Sequence, residues 1–198
     1  MSLSNEKGGV FERKICKRLS LWISDGLRDD LLWRSAMSGG RATLQRRIRT
    51  GTKRTNQCGD ISAISREGQD FLDVFFVDCK FLKSLQIDAW IYGQEGRLPN
   101  TWDKVLGEAL DHNRVPLVVA KQNHKPELIL TTLAGFHHLQ GAARFFPWKA
   151  RFFRNGQEVF VLSFQDLLVK VKWLRMRLNF EHAGLVPPAS KKRKRVTF

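Results

Sequence analysis

The sequence predicts an α/β fold, a mixed central sheet with helices on both faces. Three observations predict it. Two apolar runs, FLDVFFVDCKF (71–81) and VPLVVAK (115–121), are nearly continuous, as strands covered on both faces are. Helical periods open and close the chain, at residues 10–23 and 165–178. A further helical period, at 101–113, separates the two apolar runs, giving the order helix, three strands, helix, strands, helix. The chain has 198 residues, 42% hydrophobic, with 14 Phe and 6 Trp, enough for one domain with a core.

Taken in order, residues 1–6 read as a loose terminus. Phe11, Ile15, Leu19, Trp22 and Ile23 then mark the first helix, which Gly26 closes. LLWRSAM (31–37) reads as a strand and Ser38-Gly39-Gly40 as a turn. Residues 41–58 carry Arg41, Arg46, Arg47, Arg49, Lys53 and Arg54 and no acid. With so few apolar residues they read as a solvated segment. DISAIS (60–65) is expected as a strand, REGQD as a turn, and 71–81 as the antiparallel partner across that hairpin. Thr101 is placed to cap the helix running to Asn113, with Trp102, Val105, Leu106 and Leu110 on one face. ELILTTL (127–133) is the expected hairpin partner of 115–121, followed by a short helix over 134–140 and a strand over 158–164. One final helix is expected over 165–178. The reading is thus a single domain over 1–186 and a flexible basic tail over 187–198.

The formal net charge is +15, which argues for a polyanionic partner, most simply nucleic acid. A merely soluble basic protein is the bland alternative. No run of about 18 uncharged apolar residues exists, so no membrane span is expected. The N-terminal MSLSNEKGGVFERK is charged where a signal peptide needs an apolar core. The expected location is therefore intracellular: cytoplasm or nucleoid, or the nucleus if KKRKR (191–195) is an import signal rather than a DNA-tethering tail. Cys16, Cys58 and Cys79 are odd in number and form no CxxC, which fits reduced thiols.

The stretch FFVDCKFLK (75–83) puts an acid and a base inside an apolar run. Side chains alternate along a strand, so Asp78 and Lys80 share a face. The hairpin expected about REGQD would bring Asp60 beside Asp78. Two close carboxylates favour a cation between them, and Mg²⁺ is satisfied by one or two carboxylates plus water and phosphate oxygens. A neighbouring lysine can offset charge building on a phosphate. Metal-assisted phosphodiester hydrolysis follows. Taken alone, the Asp–Lys pair reads sooner as the polar end of a strand.

Asp60, followed 18 residues on by Asp78-Cys79-Lys80, resembles the PD-(D/E)XK nuclease signature. The first 83 residues are similar to the Holliday-junction resolvases of that superfamily. A Gly-containing start precedes a helix bearing a Glu (KGGVFERKI, with Glu12), a strand leads into a Ser-Gly loop (RSAMSGGR), and GDI and the acid-x-lysine follow in order. The resemblance implies a restriction-endonuclease-like fold and a catalytic set of Glu12, Asp60, Asp78 and Lys80, with Ser38 as a phosphate contact. Mg²⁺, replaceable by Mn²⁺, would be held by Asp60, Asp78, the Cys79 carbonyl and Glu12. It implies a structure-selective DNA endonuclease acting on branched DNA as a homodimer, since paired cuts across a four-way junction suit two-fold symmetry. Asp78 stands where those resolvases usually carry Glu, and the segment before Asp60 is longer and more basic than theirs. Arg41, Arg46, Arg47, Arg49, Lys53 and Arg54 are the expected DNA contacts. A nuclease of linear or flapped DNA, and a non-catalytic nucleic-acid-binding protein, remain as alternatives.

Other motifs carry less. DHNRVP and NHK (111–125) superficially resemble an HNH nuclease, but one apolar strand fills the gap where that site needs a hairpin and helix. His137-His138 reads as a surface pair, and Lys121 as a surface lysine or a phosphate contact at a strand end. RFFPWKARFFR (144–154) interleaves aromatics with bases, which suits a core strand with basic outer positions or stacking on unpaired bases.

Overall fold

The computed structural model describes residues 3–35 and 57–187. Helix α1 (Leu3–Ile23) buries Phe11, Ile15, Cys16, Leu19 and Ile23 as one stripe at helical spacing. It begins seven residues before the expected start at Val10, because its polar first turns carry no apolar period to reveal them. Strands β1 (Leu32–Arg34), β2 (Gln57–Cys58) and β3 (Ile61–Ala63) make a small antiparallel sheet in the order β1-β3-β2.

The expected hairpin from β3 does not form. REGQD opens helix α2 (Arg66–Val74), and the Ser65 hydroxyl caps it by accepting from the Gly68 N–H at 3.1 Å. Phe71, Leu72 and Val74 are buried on the helix rather than on a strand. Strand β4 (Phe75–Leu82) starts where α2 ends. The chain therefore crosses over through a helix, and Gly59 bridges Val77 in parallel rather than antiparallel.

Strand β4 lies at one edge of a five-stranded sheet. Its parallel neighbour is β5 (Val115–Gln122), followed by β6 (Leu128–Thr132), β8 (Gln157–Ser163) and β7 (Trp148–Arg154), all antiparallel. Alternation on β4 sends Phe75, Val77 and Cys79 to one face and Phe76 to the other. The first face packs on α1, α2, α5 (Leu133–Gly141), α6 (Phe164–Lys170) and α7 (Trp173–His182). The second packs on Trp90 of α3 (Ile87–Ile91) and on Leu98, Trp102, Val105 and Ala109 of α4 (Arg97–Asp111). This is the expected restriction-endonuclease-like arrangement of a mixed sheet between helical layers.

Two local expectations need correction. Helix α4 starts at Arg97 after Gly96, not at Thr101; Pro99 fits its first turn, where a missing N–H costs nothing. The last helix is two: Val171 is extended and buried, and its carbonyl accepts from the Trp22 indole at 2.7 Å, which interrupts the helical ladder. Residues 148–154 form β7, joined to β8 by Asn155-Gly156, both at positive φ (50° and 76°), as a primed two-residue hairpin requires. The core reading of 144–154 holds for part of its aromatics only. Phe146 is buried and Phe152 stacks on Trp90, while Phe145, Trp148 and Phe153 are exposed. Among the described residues, no helix is long and apolar enough to cross a membrane.

Candidate active site

Asp60 is fastened at three points, two of them on β4. Its N–H donates to the Val77 carbonyl at 3.0 Å, its own carbonyl accepts from the Ser35 N–H at 2.9 Å, and its Oδ2 accepts from the Cys79 N–H at 2.8 Å. Gly59 makes the approach close enough. Its φ is +76°, and a Cβ there would stand 2.3 Å from the Val77 oxygen.

Asp78 and Lys80, two apart on β4, point to the same side, and Asp60 meets them there. The Lys80 Nζ lies 2.8 Å from Asp78 Oδ1, 2.7 Å from Asp78 Oδ2 and 3.3 Å from Asp60 Oδ2. Asp60 and Asp78 are 5% and 7% exposed, so two nearly buried carboxylates share one ammonium. Burial, and then the charge of Asp60, hold the Asp78 carboxyl well above the usual carboxylate range. Burial pulls the Lys80 ammonium down, but Asp78 and Asp60 together outweigh it and keep Lys80 firmly protonated. The Lys80 ammonium straddles the Asp78 carboxylate, directing its hydrogen bond at Oδ1 while lying as close to the buried Oδ2. The Cys79 carbonyl also turns toward the site, 3.4 Å from Lys80 Nζ. Burial lifts the Cys79 thiol far above its ordinary pKa, so the sulfur stays neutral.

These groups suit a hard divalent cation: two carboxyl groups and a backbone carbonyl, all oxygen donors, gathered about one ammonium. Among the described residues, no three of His, Cys, Asp and Glu gather into a metal-holding group. A cation here would take water or phosphate oxygens as its remaining ligands, as Mg²⁺ characteristically does.

Glu12 lies on α1, 8% exposed, and its carboxylate is ion-paired with Arg34 at the end of β1. Burial raises its pKa, Arg34 opposes that, and the charge of Asp60 reaches it. Gly9, one turn earlier, leaves room for the guanidinium; a Cβ there would be 3.2 Å from Arg34 Nη1. Arg34 and Ser35 stand in the RSAMSGGR stretch but were not expected as site residues. Their signal is adjacency: an Arg-Ser pair directly after a short apolar strand. Ser35 also bonds Ser62 through their hydroxyls at 2.8 Å, tying β1 to β3 beside Asp60. Ser38, Arg41, Arg46, Arg47, Arg49, Lys53 and Arg54 lie outside the described residues.

The remaining candidates lie elsewhere. His138 is half-buried, edge-on to Phe75 and Phe180, and burial lowers its pKa. His112 stacks on Phe76 at the end of α4, and His124 occupies a turn at φ 59°. Lys121 pairs with Glu127 at 3.4 Å. Cys16 and Cys79 are free and buried.

A family model described as phage putative PDDEXK endonuclease matches residues 3–175, a span that includes Glu12, Asp60, Asp78 and Lys80. No curated protein and no solved structure matches the chain.

Proposed function

The chain belongs to the phage PDDEXK endonuclease family, and on that premise we propose that it is a Mg²⁺-dependent DNA endonuclease selective for branched DNA, in particular four-way junctions, acting as a homodimer. The observation that carries the reading is the meeting of two nearly buried carboxylates, Asp60 and Asp78, around the single ammonium of Lys80.

Asp60, Asp78 and the Cys79 carbonyl would hold the metal. When bound, Mg²⁺ (or Mn²⁺ in its place) supplies Lewis-acid polarisation of a phosphate oxygen and a lowered pKa for water. The chain's own groups do the rest. Asp60 is already oriented by its bond from the Cys79 N–H, so it spends no entropy turning toward a ligand. Lys80 keeps its proton and is about one-third exposed, so it can donate to a phosphate oxygen as charge builds there. Glu12 is committed to Arg34, and its proposed part is to orient water near the metal rather than to ligate it. The basic residues of 41–54, with Ser38 just before them in sequence, are the proposed phosphate contacts.

Asp78→Asn is the cleanest test. Lys80→Ala would leave two buried carboxylates facing each other, a loss of about 3–5 kcal/mol that confuses folding with chemistry. Asp78 already resists ionisation, so neutralising it should leave stability unchanged or higher. Cleavage of DNA in Mg²⁺ should fall at least about 10²-fold, while affinity for DNA holds or rises. The wild type should cut a four-way junction in Mg²⁺ and not in EDTA, and cut it faster than flapped or linear DNA of the same sequence. A variant that cuts at the wild-type rate would move the metal site elsewhere. Equal cutting of linear and branched DNA at about 150 mM salt would remove the junction preference and leave the nuclease.

A further inference from the structure

A recess of about 360 Å³ lies where the first turns of α1 meet the ends of β4 and β5. Val10, Phe11 and Phe81 give it apolar walls, and Lys7, Lys14 and Lys121 rim it. The Phe11 and Phe81 rings lie 5.6 Å apart, and Val10 is 53% exposed. Phe81 directly follows Lys80, and Phe11 directly precedes Glu12. The recess is thus built on the same two elements as the candidate active site and lies across β4 from it.

Its charge is positive by construction. Glu127, only 12% exposed, receives Lys14 at 2.9 Å, Lys121 at 3.4 Å and Arg18 at 3.4 Å. Of these three, Lys14 and Lys121 line the recess, so with Glu127 between them one charge is left over there. Lys7 adds another, against Glu6 as the one acid lining it. The Lys121 ammonium also stands 5.9 Å over the Phe81 ring. Aromatic walls under a surplus of cations are how proteins take single-stranded nucleic acid, stacking the base and neutralising the phosphate. The volume falls in the range of small-ligand pockets, roughly 300–1,000 Å³, and is far too small for a duplex.

We propose that this recess receives one unpaired nucleotide of the substrate strand, its base against Val10 and Phe81 over the buried Phe11 and its phosphate on Lys14 and Lys121. The inference rests on the reading of the chain as a DNA endonuclease and adds what the substrate must offer. A paired base hides its faces in the stack, whereas an unpaired one exposes them at little cost. Selection for branch points would follow without any contact to base edges.

Binding without cleavage tests it, using the full chain in EDTA with a short single strand, and with the same strand fully paired. Val10→Trp fills the recess from an exposed helical position without touching charge. It should weaken single-strand binding about tenfold and change duplex binding less than about twofold. Phe81→Leu, which keeps apolar volume and removes the ring, should do the same if the tryptophan variant does not fold. Lys14→Ala with Lys121→Ala should lower the log–log salt slope for the single strand by about 0.7 for each phosphate no longer neutralised. Single-strand binding that is indifferent to Val10→Trp and Phe81→Leu would overturn the recess. So would equal displacement by poly-glutamate, which would mark it as a general anion or acidic-peptide site. The two readings fail separately. A wild type that cuts while these variants bind normally keeps the nuclease and loses the recess. A wild type that never cuts, yet loses single-strand binding in Val10→Trp, keeps the recess and loses the nuclease.

Discussion

Gly59 sets how closely Asp60 can approach strand β4. At φ +76° with 2.3 Å available to a Cβ, alanine would meet both backbone strain and the Val77 carbonyl. Gly59→Ala should cost at least about 2 kcal/mol, a fall in Tm of roughly 4–8 °C for a chain of this length. Gly107 on α4 is the internal contrast, since nothing lies within 4 Å of a Cβ there. Gly107→Ala should stabilise by about 0.5–1 kcal/mol through helix propensity alone. Equal melting shifts for the two variants would refute the close-approach account. At this scale the sequence was readable where chemistry forces a spacing. Asp78 and Lys80 had to share a face because strand side chains alternate. Asp60 was expected beside them through a hairpin and arrives instead through a crossover, so its position was reached by a wrong connection. The Glu12–Arg34 pair could not be read, because nothing local links residues 22 apart.

Helix α2 shows why elements were harder than residues. FLDV followed by FFV is a continuous apolar run, and such a run has no period to separate a buried strand from a buried helix. The deciding signal was Ser65, whose hydroxyl caps the helix immediately before what reads as a turn. The β7–β8 hairpin carried its own signal in Asn155-Gly156, but β7 mixes exposed aromatics with half-buried ones and so hides its alternation. Long uniform elements such as β5 and α1 were legible. Their docking was not, and Glu127 is where it is fastened. It takes Lys14 and Arg18 from α1 and Lys121 from β5. Burial works against its charge, but Lys14, the local backbone and Arg18 prevail and lower its pKa from an ordinary 4.5 to about 2. A depressed carboxyl contributes stability above its ordinary pKa and loses it as pH falls through the folded value. Wild-type stability should therefore drop between about pH 4.5 and pH 2 by more than that of Glu127→Gln, measured by urea melts across that range. Parallel pH curves for the two proteins would show that the cluster does not hold α1 to the sheet.

On the scale of the whole molecule, the sheet has two edges with different fates. The β4 edge is extended by the Gly59 bridge and carries the candidate site. The β7 edge presents Lys149 and Arg151, and charged side chains on an edge discourage pairing with another sheet. The candidate site sets two carboxyl groups, Asp60 and Asp78, against one ammonium, Lys80, inside a chain of net +15. On the proposed reading that contrast would divide the labour, with the chain's long-range field drawing in DNA and the carboxyl pair holding the metal. Binding should therefore depend steeply on salt while cleavage by bound protein does not. Arg46, Arg47 and Arg49 are the sharpest test, since they lie close together in the basic stretch that holds no acid. Replacing all three with alanine should flatten the log–log salt dependence of duplex binding by roughly 0.9 for each phosphate they neutralise. The melting temperature should stay put, and the single-turnover cleavage rate at saturating protein should change less than about twofold. If the salt slope is unchanged and the cleavage rate collapses, these arginines act in the chemistry, and the separation of binding charge from catalytic charge fails.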